Sequence, residues 1–190
     1  MGDLRTKRTY QFLKNALLEL LTKKPFEEIK VNDICNLAMV HRTTFYSHFA
    51  DKYELLNYCI EDVEQEITEK IRNQDYHDSK EFYRHMIMTL LMYIQENRRL
   101  FRSLLKKNTD RGIVLIFKDA CATFISQMLE KEEDSGVVHH VPVTIMAEFY
   151  SGAVMDTIAW WIKTDSDMSE KEVCEYIITL IFDIVPHQST

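Results

Sequence analysis

Turn-forming residues are scarce in this chain, whose 190 residues include only four Gly and three Pro. β-Sheets need frequent tight turns, and Gly and Pro supply much of the backbone geometry that those turns require. Leu, Ile, Lys and Glu are abundant, and hydrophobic residues make up 46% of the chain, enough for a sizeable core. We therefore predict an all-α protein.

Apolar residues recur at steps of three and four along most of the chain, which is the spacing of one face of an α-helix. Capping-box sequences at 51–54, 78–81 and 169–172 mark three helix starts. A polar stretch from Glu132 to His140 predicts an exposed loop. We predict about nine helices, at 6–22, 31–38, 42–49, 52–73, 78–96, 98–106, 110–130, 142–163 and 170–185.

Charge is distributed unevenly along the chain. Residues 1–58 carry nine Lys/Arg against seven Asp/Glu, a net charge of +2, whereas the other 132 residues carry 14 against 23, a net charge of −9. A basic head attracts DNA and an acidic body is repelled by it. We predict a small DNA-facing domain at 1–50 and a larger, acidic helical domain at 51–190.

The head shows the pattern of a helix-turn-helix, with one long helix followed by two short helices and a tight turn at Met39-Val40. In this motif the second short helix enters the major groove. Every residue from His41 to His48 except Phe45 can donate a hydrogen bond, and Arg42 can pair bidentately with guanine. A solvated helix that touches nothing explains any one of these residues, but not their combination.

The other candidate contacts divide between bases and phosphates. Thr43 and Thr44 offer hydroxyls and methyl groups, while Tyr46 and His48 suit phosphates. Lys52 starts the next helix, where its charge and the free backbone N–H groups both favour a phosphate oxygen.

Three segments of the head share a pattern with a known family: Ala16–Leu21, Pro25–Glu27 with Val31–Ile34, and above all Thr44–Leu56, which fits T-x-Y-x-H-F-x-x-K-x-x-L. They resemble the DNA-binding domain of the TetR/AcrR family of regulators. The resemblance implies a dimer whose two recognition helices enter successive major grooves. It also implies a C-terminal helical domain that binds a small effector and dimerises through its last two helices.

Carried over to this chain, the resemblance implies DNA contacts in the head and departures from the family at two positions. The family usually has Gly where this chain has Met39, and a left-handed Met39 costs about 1 kcal/mol. The family also usually has Ser or Thr where this chain has His41. The candidate DNA-binding residues are Lys30, Asn32, His41, Arg42, Thr43, Thr44, Tyr46, His48 and Lys52.

The C-terminal part resembles a branch of the same family in Phe149–Ala153 and Trp160-Trp161. Because Gly152 and its neighbour are small enough for close helix approach, we predict a homodimer through the helices at 142–163 and 170–185. The alternative is that the apolar stripe packs only inside one monomer.

Aromatic and Met side chains at core spacing are candidates for an effector pocket, although most such positions simply fill a core. The effector is an unknown small molecule. The pocket candidates are Tyr83, Met86, Phe117, Phe124 and Trp160.

Other classes of protein lack support in the sequence. The chain has no apolar run of about 18 residues and no secretory signal, so we expect a cytoplasmic protein without a membrane span. It has no Gly-rich phosphate loop, no G-x-S-x-G, no H-E-x-x-H and no C-x-x-C. We expect no enzyme activity, no cofactor and no metal site.

The sequence therefore predicts a DNA-binding transcriptional regulator, by family default a repressor that a small-molecule effector releases from double-stranded DNA with a palindromic operator. The alternative is a TetR-fold coactivator or protein-interaction module without operator binding. Met39 and the acidic body leave room for this alternative, whereas Arg42, Tyr46, His48 and Lys52 argue against it.

Overall fold

The computed structural model describes residues 2–72, 76, 78–107, 112–164 and 166–182. Within these residues the chain forms nine α-helices and a short 3-10 helix at Phe26–Glu28, and no strand, which confirms the all-α prediction. The helices are α1 (Gly2–Leu21), α2 (Val31–Ala38), α3 (Arg42–Tyr46), α4 (Lys52–Arg72), α5 (Ser79–Glu96), α6 (Arg98–Lys107), α7 (Gly112–Asp134), α8 (Val143–Lys163) and α9 (Glu170–Phe182).

Three predicted helix bounds are wrong. Helix α1 begins at Gly2 rather than at residue 6. Helix α3 ends at Tyr46 rather than Phe49, because the backbone tightens there and the N–H of His48 bonds to the carbonyl of Phe45. Helix α7 continues to Asp134, so the first three residues of the predicted loop at 132–140 are helical. The predicted ends at 73, 110 and 185 lie outside the described residues.

The predicted capping residues do start their helices. The Asp51 carboxylate accepts hydrogen bonds from the backbone N–H groups of Tyr53 (2.8 Å) and Glu54 (2.9 Å). Asp78 accepts one from the N–H of Glu81 at 2.7 Å, and the N–H of Ser169 donates to Glu172 at 2.8 Å. Each cap satisfies an N–H that the first helical turn leaves without a partner.

The chain divides into two compact units, residues 1–66 with 97–109 and residues 67–96 with 110–190. The first unit carries 14 Lys/Arg against 11 Asp/Glu, and the second carries 9 against 19. The basic character of the head therefore extends to α6. The units do not divide at residue 50, and the functional boundary predicted there stays a prediction.

The core of the first unit forms where α1 packs against α2 and the residues around α3. Leu13, Leu17 and Leu21 lie four residues apart on α1 and are fully buried, as is Phe45 of α3. The ring of Tyr10 contacts the rings of Phe49 and Tyr58, each at a centroid distance of 4.9 Å. These contacts hold the short helices onto the long one.

Helix α6 caps the C-terminal end of α1. The Ser103 hydroxyl lies 3.1 Å from the carbonyl oxygens of both Leu21 and Thr22. The Lys107 ammonium donates to the carbonyls of Thr22 (2.9 Å) and Lys23 (2.6 Å). Carbonyls at a helix C-terminus lack intrahelical donors and attract positive charge, so α6 supplies what α1 itself cannot.

Lys52 ties the start of α4 to the 3-10 helix. Its ammonium donates to the backbone carbonyls of Phe26 (2.8 Å) and Glu27 (3.0 Å) and lies 4.6 Å from the centroid of the Phe26 ring. Only 14% of the Lys52 side chain is exposed. The lysine thus links the backbone of the 3-10 helix to the first turn of α4.

In the second unit, α7 packs against α8 and α5 against α9. One cluster of its core joins Ile125 and Leu129 of α7 to Ala147 of α8. Trp161 is buried and donates its indole N–H to the carbonyl of Met168 at 2.9 Å. In the described part of the chain, no helix combines the length and apolarity needed to cross a membrane.

Met39 ends α2 in the left-handed conformation, with φ 55° and ψ 40°, and 94% of its surface is exposed. We expect Met39→Gly to raise the free energy of unfolding by up to about 1 kcal/mol, because glycine adopts this conformation without strain. Urea unfolding followed by circular dichroism measures the change. Met39→Ala is the control, since it removes the same side chain and keeps the strain; equal stability of the two variants would contradict the prediction.

Replacing Lys52 by Met keeps the aliphatic stem and removes the donor of two carbonyls. We expect a loss of about 1–3 kcal/mol in the free energy of unfolding, because a mostly buried ammonium gives up its charge-assisted hydrogen bonds to the carbonyls of Phe26 and Glu27. The matched control is Lys23→Met, which breaks an exposed pair with Glu19 and costs at most about 1 kcal/mol. The same urea assay compares them, and the prediction fails if Lys52→Met is no more costly than its control.

Candidate nucleic-acid interface

Helix α3 is only five residues long, and it packs against the rest of the unit through one side. Phe45 is its one buried residue, and Phe49, just beyond its end, is buried as well. So short a helix does not persist alone, and the packing of these rings fixes its direction. The side chains on the rest of its surface are therefore presented in a fixed arrangement.

Four of the candidate DNA-binding residues are exposed together on and just before α3. They are His41, Arg42, Thr43 and Tyr46. The Arg42 guanidinium lies 5.9 Å from the centroid of the Tyr46 ring, one helical turn away. The group offers a forked cationic donor, a hydroxyl, an imidazole and a phenol to any partner that α3 meets.

Thr44 and His48 are half-buried beside this exposed group. The His48 ring meets the edge of the Tyr10 ring at a centroid distance of 5.1 Å, so α1 orients the imidazole. Sequence reasoning missed this role of Tyr10, which it treated only as part of the apolar stripe of α1.

Lys30 and Asn32 are exposed at the beginning of α2. The backbone N–H of Lys30 donates to the Asp33 carboxylate at 3.0 Å, and the Lys24 ammonium donates to the same oxygen at 2.6 Å. The hydrogen bond from Lys24, followed by that from Lys30, lowers the pKa of Asp33. Asp33 therefore stays ionised and fixes the first turn of α2.

Lys52 is the one candidate that the structure places inside the head, where it binds the carbonyls of the 3-10 helix. Its ammonium has partners before any DNA arrives. A contact of Lys52 with phosphate stays a prediction.

The pocket candidates lie in the second unit. Tyr83, Met86, Phe117 and Phe124 are half-buried, whereas Trp160 is largely exposed on α8. The Tyr83 hydroxyl donates to the Glu132 carboxylate at 3.2 Å. A role of these residues in effector binding stays a prediction.

Helices α8 and α9 expose large apolar side chains. Positions 145, 149 and 160 fall near one side of α8, and 64% of the surface of Phe149 is exposed. Helix α9 exposes Tyr176 and Leu180, which are also one turn apart. An apolar surface of this kind is typical of a protein–protein contact.

Family models match both parts of the chain. The model described as bacterial regulatory proteins of the tetR family matches residues 14–59. A second model, described as a transcriptional regulator C-terminal region, matches residues 83–183.

A curated relative and two solved structures are similar to this chain. The dhaKLM operon transcriptional activator DhaS of Lactococcus lactis is 27% identical over 96 residues, 50% of this chain and 48% of that protein. The match thus spans about half the length of that relative.

A structure described as a TetR-family transcriptional regulator of Syntrophomonas wolfei has a TM-score of 0.71 at 21% identity, over 92% of this chain and 93% of the other. A TetR transcriptional regulator of Streptococcus agalactiae has a TM-score of 0.67 at 22% identity, over 95% and 97%. These structures share the fold. With both family models matched in their expected order, the chain belongs to the TetR family of bacterial transcriptional regulators.

Proposed function

We propose that this protein is a sequence-specific DNA-binding regulator that reads a palindromic operator with α3 as its recognition helix. The observation that carries the proposal is the exposed group of Arg42, Thr43 and Tyr46 on a helix whose opposite contact, Phe45, is buried. Arg42 supplies the bidentate donor that guanine accepts in the major groove. Tyr46 and His48 suit the phosphates that set register.

The proposed direction of regulation is repression, with release from DNA when a small effector binds the second unit. Such an effector must bind the conformation that cannot grip DNA better than the one that can. The DhaS relative is named an activator, so in vitro transcription from a promoter with the selected operator decides the direction. A fall in transcript supports repression, and a rise supports activation.

A second candidate is a TetR-fold module that grips a protein instead of an operator. Two observations favour it: Lys52 is engaged within the head, and Leu37 and Met39 expose apolar surface next to α3. The exposed Arg42 and Tyr46 favour DNA, because an apolar protein contact has no need of them. The DNA selection described next separates the candidates.

Selection from a random pool of double-stranded DNA should enrich a palindrome whose half-sites lie about one helical turn apart. Arg42→Ala should weaken binding to the selected site by about 1–3 kcal/mol, because a bidentate base contact is lost. Arg99→Ala, which removes an exposed arginine from α6 of the same unit, is the control. Fluorescence anisotropy titrations at two salt concentrations measure both.

An enriched palindrome with a selective loss in Arg42→Ala supports operator binding. No enrichment from a folded wild-type protein would overturn it and favour the protein-binding module. An equal loss in both arginine variants would show that only general charge attracts DNA.

We propose further that the protein is a homodimer through the exposed faces of α8 and α9. Two heads on one palindrome need a two-fold interface, and the exposed apolar side chains of α8 and α9 supply a candidate surface. The alternative, in which the stripe packs only inside one monomer, is disfavoured because Phe149 and Tyr176 are exposed within it.

Phe149→Glu should weaken dimerisation by about 2 kcal/mol or more, since a charge would be buried where an aromatic ring packs. Sedimentation velocity over a range of concentrations measures the monomer fraction. Phe12→Glu is the control, because Phe12 is an exposed phenylalanine of α1 in the other unit. A wild-type monomer, or an equal shift in both variants, would contradict the proposed surface.

A further inference from the structure

Glu132 occupies an unfavourable position for a carboxylate. It lies in the last turn of α7, where the carbonyl end of the helix repels negative charge, and only 23% of its side chain is exposed. Among the described residues no lysine or arginine forms an ion pair with it. A partly buried carboxylate is stabilised by a positive partner, and the basic group that the structure brings to it is the His139 imidazole, at 3.6 Å.

Two tyrosines from the neighbouring helices lie near this carboxylate: Tyr83, and Tyr150, which packs against the cluster of Ile125, Leu129 and Ala147. From α5, the Tyr83 hydroxyl donates to it at 3.2 Å, and the Tyr83 ring packs against the ring of Phe182 of α9. Burial, followed by the charge of Glu132, raises the pKa of Tyr150 on α8, so this phenol stays neutral beside the carboxylate. Arg84, next to Tyr83, pairs instead with Glu175 at 2.9 Å.

His139 approaches the same carboxylate without forming a hydrogen bond to it. Its side chain is only 10% exposed, and its Nε2 atom is buried and has no hydrogen-bond partner. Nε2 lies 3.6 Å from the Glu132 carboxylate, beyond hydrogen-bond distance. Its neighbours Val138 and His140 are exposed, so the segment between α7 and α8 inserts this imidazole alone.

We propose that Glu132, Tyr83 and Tyr150 form a binding site for the substituted ammonium group of a small organic cation, and that His139 is a displaceable stand-in for that group. Carboxylates and aromatic rings both attract ammonium groups, and this cluster offers a carboxylate with two tyrosines near it. The inference rests on the proposed function, because it assigns a chemistry to the effector.

Displacement of His139 gives such a ligand a route to the rest of the protein. The imidazole belongs to the residues that lead into α8, which begins at Val143 and carries part of the proposed dimer surface. A cation that takes the place of the imidazole releases this segment from Glu132. Ligand binding and the conformation of the start of α8 are then coupled.

Choline, with its neutral isostere 3,3-dimethylbutan-1-ol as control, tests the site on the full-length protein without DNA. We expect saturable binding of choline, followed by NMR of histidine side chains, with the His139 signals among those that move. The isostere should bind at least about tenfold more weakly, because it lacks the charge that Glu132 and the rings attract.

Two variants with opposite effects distinguish a binding role from a structural one. Glu132→Gln should weaken choline binding at least about tenfold, whereas His139→Ala should tighten it because the stand-in is gone. Glu133→Gln, at the exposed adjacent carboxylate, should leave binding unchanged. Circular dichroism verifies that each variant is folded.

The proposal is overturned if choline shows no saturable binding at tens of millimolar, if the isostere binds equally, or if Glu132→Gln and Glu133→Gln bind alike. Operator binding by the same preparations is measured separately. If the protein binds its operator but not choline, only the proposed effector site is wrong. If it binds choline but no operator, only the proposed function is wrong.

Discussion

The burial of Phe45 is the contact on which the candidate DNA-binding surface depends. With five residues, α3 has too few internal hydrogen bonds to hold its own shape, and its direction is set by this ring and by Phe49. The same packing leaves Arg42 and Tyr46 on the exposed side. The orientation of α3 therefore determines both features: it buries Phe45 in the aromatic core and leaves Arg42 and Tyr46 exposed.

Features that depend on neighbouring residues could be predicted from the sequence. Helix starts at Asp51, Asp78 and Ser169 followed from capping residues whose partners lie two or three positions away. The end of α3 could not, because the apolar spacing from Phe45 to Phe49 continues through a turn that is no longer α-helical. The 3-10 helix at 26–28 is too short for any periodicity to show.

Features that depend on distant partners were beyond sequence reasoning. The charge of Lys52 predicted a phosphate contact, but the carbonyls that bind it belong to residues 25 and 26 positions earlier. Gly136, with φ 95°, lets the chain reverse after α7 and brings the His139 imidazole to 3.6 Å from the Glu132 carboxylate. Polarity predicted an exposed loop there, whereas the reversal buries one of its side chains.

The first compact unit is assembled from two separate stretches of chain, with the thirty residues 67–96 of the second unit between them. The DNA-binding unit of this protein therefore cannot be isolated or exchanged by dividing the chain at a single position. A fragment that stops at residue 66 loses Ser103 and Lys107 and exposes the last carbonyls of α1. Recombination between relatives preserves the head only when both of its stretches, residues 1–66 and 97–109, come from the same parent.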